Sequence, residues 1–139
     1  MLKLKNVPEE LQSAIDEKGY NKLTSVQSLV LDPSNSGKDL LVSSQTGSGK
    51  TLAYGLSISC DGLEEIIDED NKLKTLIVTP TRELALQVFY ELAWLFSKTS
   101  ITISTAIGGM DIKKERNNIR NGVDLLIGTP GRINDHIRR

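Results

Sequence analysis

Apolar and polar positions along the chain switch between helical and strand periods, and the switch points divide it into elements. Leu11, Ala14 and Ile15 recur at helical spacing behind Pro8-Glu9-Glu10, with Gly19 as the stop, which predicts a first helix with one buried face. A second, shorter helix opens at Thr24 and ends before Pro33, and Asn35-Ser36-Gly37-Lys38 reads as a turn. From Asp39 the pattern becomes cyclic: the apolar run Leu40-Leu41-Val42 predicts a strand, a glycine loop follows, and Leu52, Leu56 and Ile58 mark a helix. Leu76-Ile77-Val78 predicts the next strand. The stripe Leu84, Val88, Leu92 and Leu95, spaced 4, 4 and 3 residues apart, predicts the clearest helix. Ile101 and Ile103 suggest a third strand, and Gly108-Gly109 a turn. Asp111 caps a charged helix that ends at Gly122, Val123 to Ile127 forms a fourth strand, and Thr129-Pro130 opens a last helix. Short strands alternating with helices predict an α/β fold, a parallel sheet with flanking helices.

Composition narrows the picture from outside. A chain of 139 residues fits one domain, and a hydrophobic share of 38% is too high for a disordered chain. With 17 basic against 18 acidic residues the net charge is −1, so contacts with phosphates must come from a few placed groups and not from a basic tail. No apolar run is long enough for a membrane span, and the N-terminus lacks a secretory pattern. The single cysteine, Cys60, rules out an internal disulfide and fits a reducing compartment, with the cytoplasm as the default. The acidic stretch from Asp61 to Asp70 lacks calcium-loop spacing and reads as a solvated connection. His136 has no Cys or His at metal spacing, and Cys60 reads as a small buried hydrophobe.

The segment Ser44-Gln45-Thr46-Gly47-Ser48-Gly49-Lys50-Thr51 lies between a predicted strand and a predicted helix. Gly47 and Gly49 allow backbone conformations that turn successive N–H groups toward phosphate oxygens, and the helix adds its positive N-terminal end. Lys50 would place its charge on the β and γ phosphates, and the Thr51 hydroxyl would hold magnesium, Mg2+. The strict pattern G-x-x-x-x-G-K-S/T has glycine where Ser44 stands, so a loosened variant is required. The plain alternative is a glycine-rich turn with an exposed lysine.

With that loop, the chain resembles the DEAD-box ATP-dependent RNA helicases, whose first RecA-like domain carries A-x-T-G-x-G-K-T. Gly19-Tyr20 with Thr24-Ser25-Val26-Gln27 is similar to the family's Q motif. Pro80-Thr81-Arg82-Glu83-Leu84-Ala85 matches P-T-R-E-L-A, Gly108-Gly109 its glycine pair, and Thr129-Pro130-Gly131-Arg132 its T-P-G-R. These matches fall in family order across nearly the whole chain. The run around Glu91-Leu92-Ala93-Trp94 looks most like bacterial members.

The resemblance implies an incomplete RecA-like P-loop NTPase fold, with residues 1–37 as a Q-motif helical region and 38–139 as part of the ATP-binding domain. It implies ATP and Mg2+ as cofactors, held by Tyr20, Gln27, Thr46, Gly47, Ser48, Gly49, Lys50 and Thr51, with Lys50 and Thr51 also acting on the reacting phosphate. A carboxamide at Gln27 can donate and accept at once and so read adenine, although with Thr24 it also fits a helix capping box. The resemblance further implies sequence-independent binding of an RNA backbone by Pro80, Thr81, Arg82, Gly108, Gly109, Thr129, Pro130, Gly131 and Arg132. In a parallel sheet the loops after the strands share one edge, where this set and the phosphate loop are expected together. Thr81 and Thr129 equally suit ordinary helix N-caps.

Two departures from the family pattern stand out. Alignment on Gln27 puts Leu2 where an adenine-stacking aromatic is usual, and Leu23 replaces a proline. The chain also stops in the helix that follows Thr129-Pro130-Gly131-Arg132, before the strand bearing D-E-A-D. Asp124, at the start of a strand, is at the wrong end to replace its aspartate. The S-A-T motif and the second RecA-like domain are likewise not in the sequence. The expectation is a nucleotide- and RNA-contacting piece of a helicase that does not unwind alone, with no oligomer implied. A non-catalytic binding module, or another P-loop NTPase such as a DNA helicase, are the competing readings.

Overall fold

The computed structural model describes residues 3–66 and 73–138. Helices α1 (Glu9–Glu17), α2 (Ser25–Val30) and α3 (Lys50–Ile66) come first, with a single 3-10 turn over Pro33–Asn35. Strands and helices then alternate: β1 (Thr75–Val78), α4 (Arg82–Leu95), β2 (Ile103–Ala106), α5 (Ile112–Arg120), β3 (Leu125–Gly128) and α6 (Pro130–Arg138). Contacts divide these residues into two compact units, Met1–Glu65 with Trp94–Thr99, and Ile66–Ala93 with Ser100–Arg139. Among the described residues no helix is long and apolar enough to cross a membrane.

In the first unit the apolar stripe of α1 is buried as its spacing predicts, through Leu11, Ala14 and Ile15. Gly19 ends that helix in the left-handed region, at φ 77°, and the Tyr20 N–H closes onto the Ile15 carbonyl at 3.3 Å. Val26, Leu52, Ala53, Leu56, Leu95 and Phe96 complete the unit's buried apolar set. Lys98 is joined to α1 by hydrogen bonds to Ser13 Oγ, at 2.8 Å, and to the Glu17 carboxylate. Tyr20 stacks on Trp94, ring centroids 6.0 Å apart, and the Lys18 ammonium lies over the same indole.

The expected strand at Leu40-Leu41-Val42 does not form. Those residues take part in no ladder and all three side chains are exposed, Leu41 fully so. An apolar run marks a wish for burial, whereas a strand exists only where a neighbour supplies hydrogen bonds, and here none does. Helix α3 runs as far as Ile66, into the acidic stretch expected to be a connection; residues 67–72 lie outside the described residues.

The second unit holds a three-stranded parallel sheet in the order β1-β3-β2. β3, the central strand, is buried at all four positions, while Leu76 and Val78 of β1 are exposed. The observed β3 starts two residues later than the apolar run at Val123. Residues 123 and 124 serve other ends: Val123 joins Ala106, Leu126 and Ile119 of α5 in a core cluster, and the Asp124 carboxylate accepts from the Thr102 N–H (2.8 Å) and hydroxyl (2.9 Å). Val78, Gly128 and Ala106 are paired across the sheet, so the three strands finish level. Gly128 allows a close approach there: a Cβ on it would meet the Ala106 carbonyl oxygen at 2.7 Å and Ile133 at 2.9 Å.

Candidate functional site

The residues expected to hold a nucleotide belong to the first unit. Residues 45–48 form a turn closed by the Ser48 N–H on the Gln45 carbonyl at 3.2 Å, with Gly47 at φ 79° in its third position, where a positive φ favours glycine. Gly49, at φ 88°, then enters α3, and its carbonyl accepts the Ala53 N–H at 3.0 Å. Lys50 folds back so that its ammonium donates to the Ser44 and Gln45 carbonyls, at 2.7 and 2.9 Å. The Ser44 and Ser48 hydroxyls lie 2.8 Å apart. The loop is thus curled about a cation, with Thr51 in the first turn of the helix that follows. A phosphate chain fits this donor set, because its oxygens can replace the two carbonyls on Lys50 and meet the amide end of α3.

Gln27 is nearly fully buried, 3% exposed, and its carboxamide works in both directions. Its Oε1 accepts the Thr24 N–H at 2.9 Å, its own N–H donates to Thr24 Oγ1 at 3.4 Å, and its Nε2 donates to the Gly49 carbonyl at 3.2 Å. The capping box readable in the sequence is present, and the side chain also braces the phosphate loop from outside. Tyr20 is half-exposed beside Trp94. Leu2 lies outside the described residues.

The expected RNA-contacting residues belong to the second unit and come together. The loops after β1, β2 and β3 leave the sheet at its carboxyl edge, and Pro80, Thr81, Arg82, Gly108, Thr129, Gly131, Arg132 and Asp135 line one cavity of about 490 Å3. Thr81 caps α4, its hydroxyl accepting the Leu84 N–H at 3.3 Å and its carbonyl the Ala85 N–H at 3.0 Å. Pro130 starts α6, the Thr129 carbonyl accepting the Ile133 N–H at 3.0 Å. Helix N-termini carry partial positive charge, and two of them open beside this cavity.

The two arginines differ in their surroundings. Arg82 is exposed, its guanidinium beside Gly109, where a Cβ would meet Arg82 Nη1 at 2.7 Å and where φ is 84°. Arg132 is largely buried. Its Nε donates to the Ile107 carbonyl at 3.1 Å and pairs with Glu115 Oε1 at 3.0 Å, and its Nη2 donates to the Met110 carbonyl.

Sequence reasoning passed over Glu115, which reads as one more charge in a charged helix. The missed signal is its spacing: Ile112, Glu115 and Ile119 fall at i, i+3 and i+7, so the carboxylate stands on the apolar stripe of α5. Asp111 caps that helix as expected, accepting from the Lys113 and Lys114 N–H groups at 2.9 and 3.4 Å. Asp124 lies before β3, at the opposite end of the strand from the cavity. Among the described residues no group of three or more His, Cys, Asp or Glu could hold a metal ion.

Comparison with known proteins gives this geometry its context. Residues 24–139 match the DEAD/DEAH box helicase family. The chain is 41% identical, over 96% of its length, to the ATP-dependent RNA helicase HAS1 of Chaetomium globosum, of which it covers 23%. Among solved structures, a hypothetical ATP-dependent RNA helicase from Sulfolobus tokodaii shares 35% identity at a TM-score of 0.79, over 94% of this chain and 36% of that one. Mss116p bound to single-stranded RNA and AMP-PNP shares 29% identity at a TM-score of 0.81, over 96% of this chain and 28% of that one. The chain spans about a quarter of the length of the curated relatives it matches. A three-stranded parallel sheet with flanking helices, motif loops gathered at its carboxyl edge, and a family match over most of the sequence lead to one conclusion: the chain belongs to the DEAD/DEAH box helicase family.

Proposed function

We propose that this chain supplies ATP-binding and RNA-backbone-binding surfaces of a DEAD-box RNA helicase, and that the longer protein couples ATP hydrolysis to the separation of short RNA duplexes. In the first unit, Gly47, Ser48 and Gly49 offer main-chain amides to the phosphates, with Thr46 at the second position of the turn. Lys50 supplies the charge, and the Thr51 hydroxyl would hold Mg2+ beside the phosphate oxygens. Bound Mg2+ would polarise the terminal phosphate. Gln27 reads the adenine edge with its carboxamide, and Tyr20 flanks it.

In the second unit, the α4 and α6 N-termini, the Thr81 and Thr129 hydroxyls and the Gly108-Gly109 turn meet phosphate oxygens. Such groups position a backbone without reading bases, so sequence-independent binding follows. The observation that carries the reading is the convergence of three motif loops on one cavity at the level ends of three parallel strands. AMP-PNP and single-stranded RNA bound to Mss116p, a structural neighbour, support the same assignment of ligands. A reducing, cytoplasmic setting is part of this reading.

The test is a pair of titrations on the chain itself. Mg-ATP should bind better than Mg-GTP, and a homopolymeric single-stranded RNA should bind with an affinity that falls as salt rises. Equal curves for the two nucleotides would remove the adenine claim, and RNA binding absent at low salt would remove the backbone claim.

A further inference from the structure

The charged groups around the RNA-facing cavity are unequal, and the inequality assigns them different work. Glu115 is 6% exposed, and its carboxylate gathers three donors from three places. Oε2 accepts the Ile107 N–H at 3.1 Å, while Oε1 pairs with Arg132 Nε at 3.0 Å and with His136 Nε2 at 2.9 Å. The Arg132 and His136 side chains are 12% and 13% exposed, so the group is largely withdrawn from water. Arg132 also holds the Ile107 and Met110 carbonyls, on either side of Gly108-Gly109. Two of its three guanidinium nitrogens are therefore committed to the chain's own backbone and to Glu115, which neutralises its charge. Arg82 is exposed, and among the described residues it carries no ion pair.

We propose that Glu115, braced by His136, is a positioning residue that locks Arg132 onto residues 107–110, so that Arg132 shapes the phosphate-binding turn while Arg82 supplies the cation that meets the RNA phosphate. This rests on the RNA-backbone reading above. It assigns roles to two residues outside the motifs, Glu115 and His136, and moves Arg132 from contact to support. A buried carboxylate is suited to this work because it accepts several charge-assisted hydrogen bonds at once, and a carboxamide has only one acceptor oxygen.

Counterion release separates the two roles. Each phosphate neutralised on a single strand contributes about 0.7 to the slope of log K against log salt concentration. A single-stranded RNA oligonucleotide titrated into the chain between about 50 and 200 mM salt should bind Arg82→Gln with a slope shallower by about 0.7, and Arg82→Lys with the wild-type slope. Arg132→Gln and Arg132→Lys should both bind about tenfold more weakly at every salt concentration with the slope unchanged, because Lys keeps the charge and loses the fork.

Glu115→Ala should weaken binding in the same way. Without RNA, it should also speed hydrogen exchange at the Ile107 amide while global stability, read by urea unfolding, stays high enough to keep the chain folded. A variant that does not fold is replaced by His136→Phe, which should loosen the same amide, with His136→Gln restoring it through a retained N–H donor.

A shallower slope for Arg132→Gln, wild-type binding by Arg132→Lys, or an Ile107 amide indifferent to Glu115→Ala and His136→Phe would each overturn the proposal. Failure of the unmodified chain to bind RNA would instead overturn the functional reading beneath it, and the exchange measurement would still report on the Glu115 lock.

Discussion

The Gln27 carboxamide donates to the Gly49 carbonyl at 3.2 Å while accepting the Thr24 N–H at 2.9 Å, so one buried side chain joins the start of α2 to the start of α3. Gln27→Ala removes both bonds and leaves the Thr24 N–H short of a partner. Loss of a helix cap typically costs about 0.5 to 2 kcal/mol, and urea unfolding should show a drop of about 1 to 2 kcal/mol. Gln27→Glu keeps the acceptor for Thr24 but turns an oxygen against the Gly49 carbonyl. It should retain the cap and loosen the loop, which predicts weaker nucleotide binding than its stability loss alone would give. If the proposed adenine reading holds, both variants also lose the preference for ATP over GTP in parallel titrations.

Lys50 is held by the first two carbonyls of its own loop, at 2.7 and 2.9 Å, and a triphosphate must outbid them. Lys50→Ala should lower affinity for ATP at least about tenfold, the scale of one charge-assisted contact, and leave the weak binding of adenosine unchanged. Calorimetric titration of both ligands against the two proteins checks the difference. Equal losses for ATP and adenosine would mean that the lysine serves the fold of the loop and not the phosphates.

Gly128 has no room for a methyl group, with the Ala106 carbonyl oxygen 2.7 Å from where a Cβ would stand. Gly128→Ala must push α6 or β2 aside, and overpacking of this kind costs about 1 to 3 kcal/mol. Urea unfolding should register that loss. RNA binding should fall more than stability does, since the displaced parts carry Arg132 and the 107–110 turn.

Asp32 gives a prediction with a defined sign. Hydrogen bonds from the Ser34 side chain and N–H hold its carboxyl below the ordinary value of 3.8. A carboxyl whose folded pKa lies below its unfolded one lends stability that is fully present above the unfolded value and is lost as pH falls through the folded value. The contribution to the Pro33–Asn35 turn therefore disappears in acid, below about pH 3.8. Asp32→Asn should flatten that part of the stability–pH curve by lowering stability at neutral pH and leaving it nearly unchanged in acid, as followed by thermal melts from the acid range to neutrality.

Among the described residues sequence patterning located the α-helices, several of them through local signals: the Thr24 box, the Asp111 cap, the stop at Gly19. It placed the stripe of α4 correctly at Val88, Leu92 and Leu95, which are buried, and missed only at its first position, where Ala85 is buried and Leu84 is half-exposed. A small alanine at a helix contact is less conspicuous than a leucine beside it. The strand expected at 40–42 failed for a different reason, because pairing depends on a distant partner that a run of apolar residues does not specify. Contacts between remote segments were equally invisible. The Gln27–Gly49 bond spans 22 residues and the Arg132–Ile107 bond 25, so motif membership announced these side chains without saying what each one touches.

The level ends of Val78, Gly128 and Ala106 set how the chain can tolerate changes of length. One residue added inside β2 would lift everything after it by about 3.3 Å and flip Ile107 to the opposite side, carrying its carbonyl away from Arg132. The same insertion after Met110 falls beyond the last atom that Arg132 grips, and the connection into α5 can absorb it. Natural length variation among close relatives is therefore expected on the far side of Met110, with the stretch from Ile103 to Met110 kept at constant spacing.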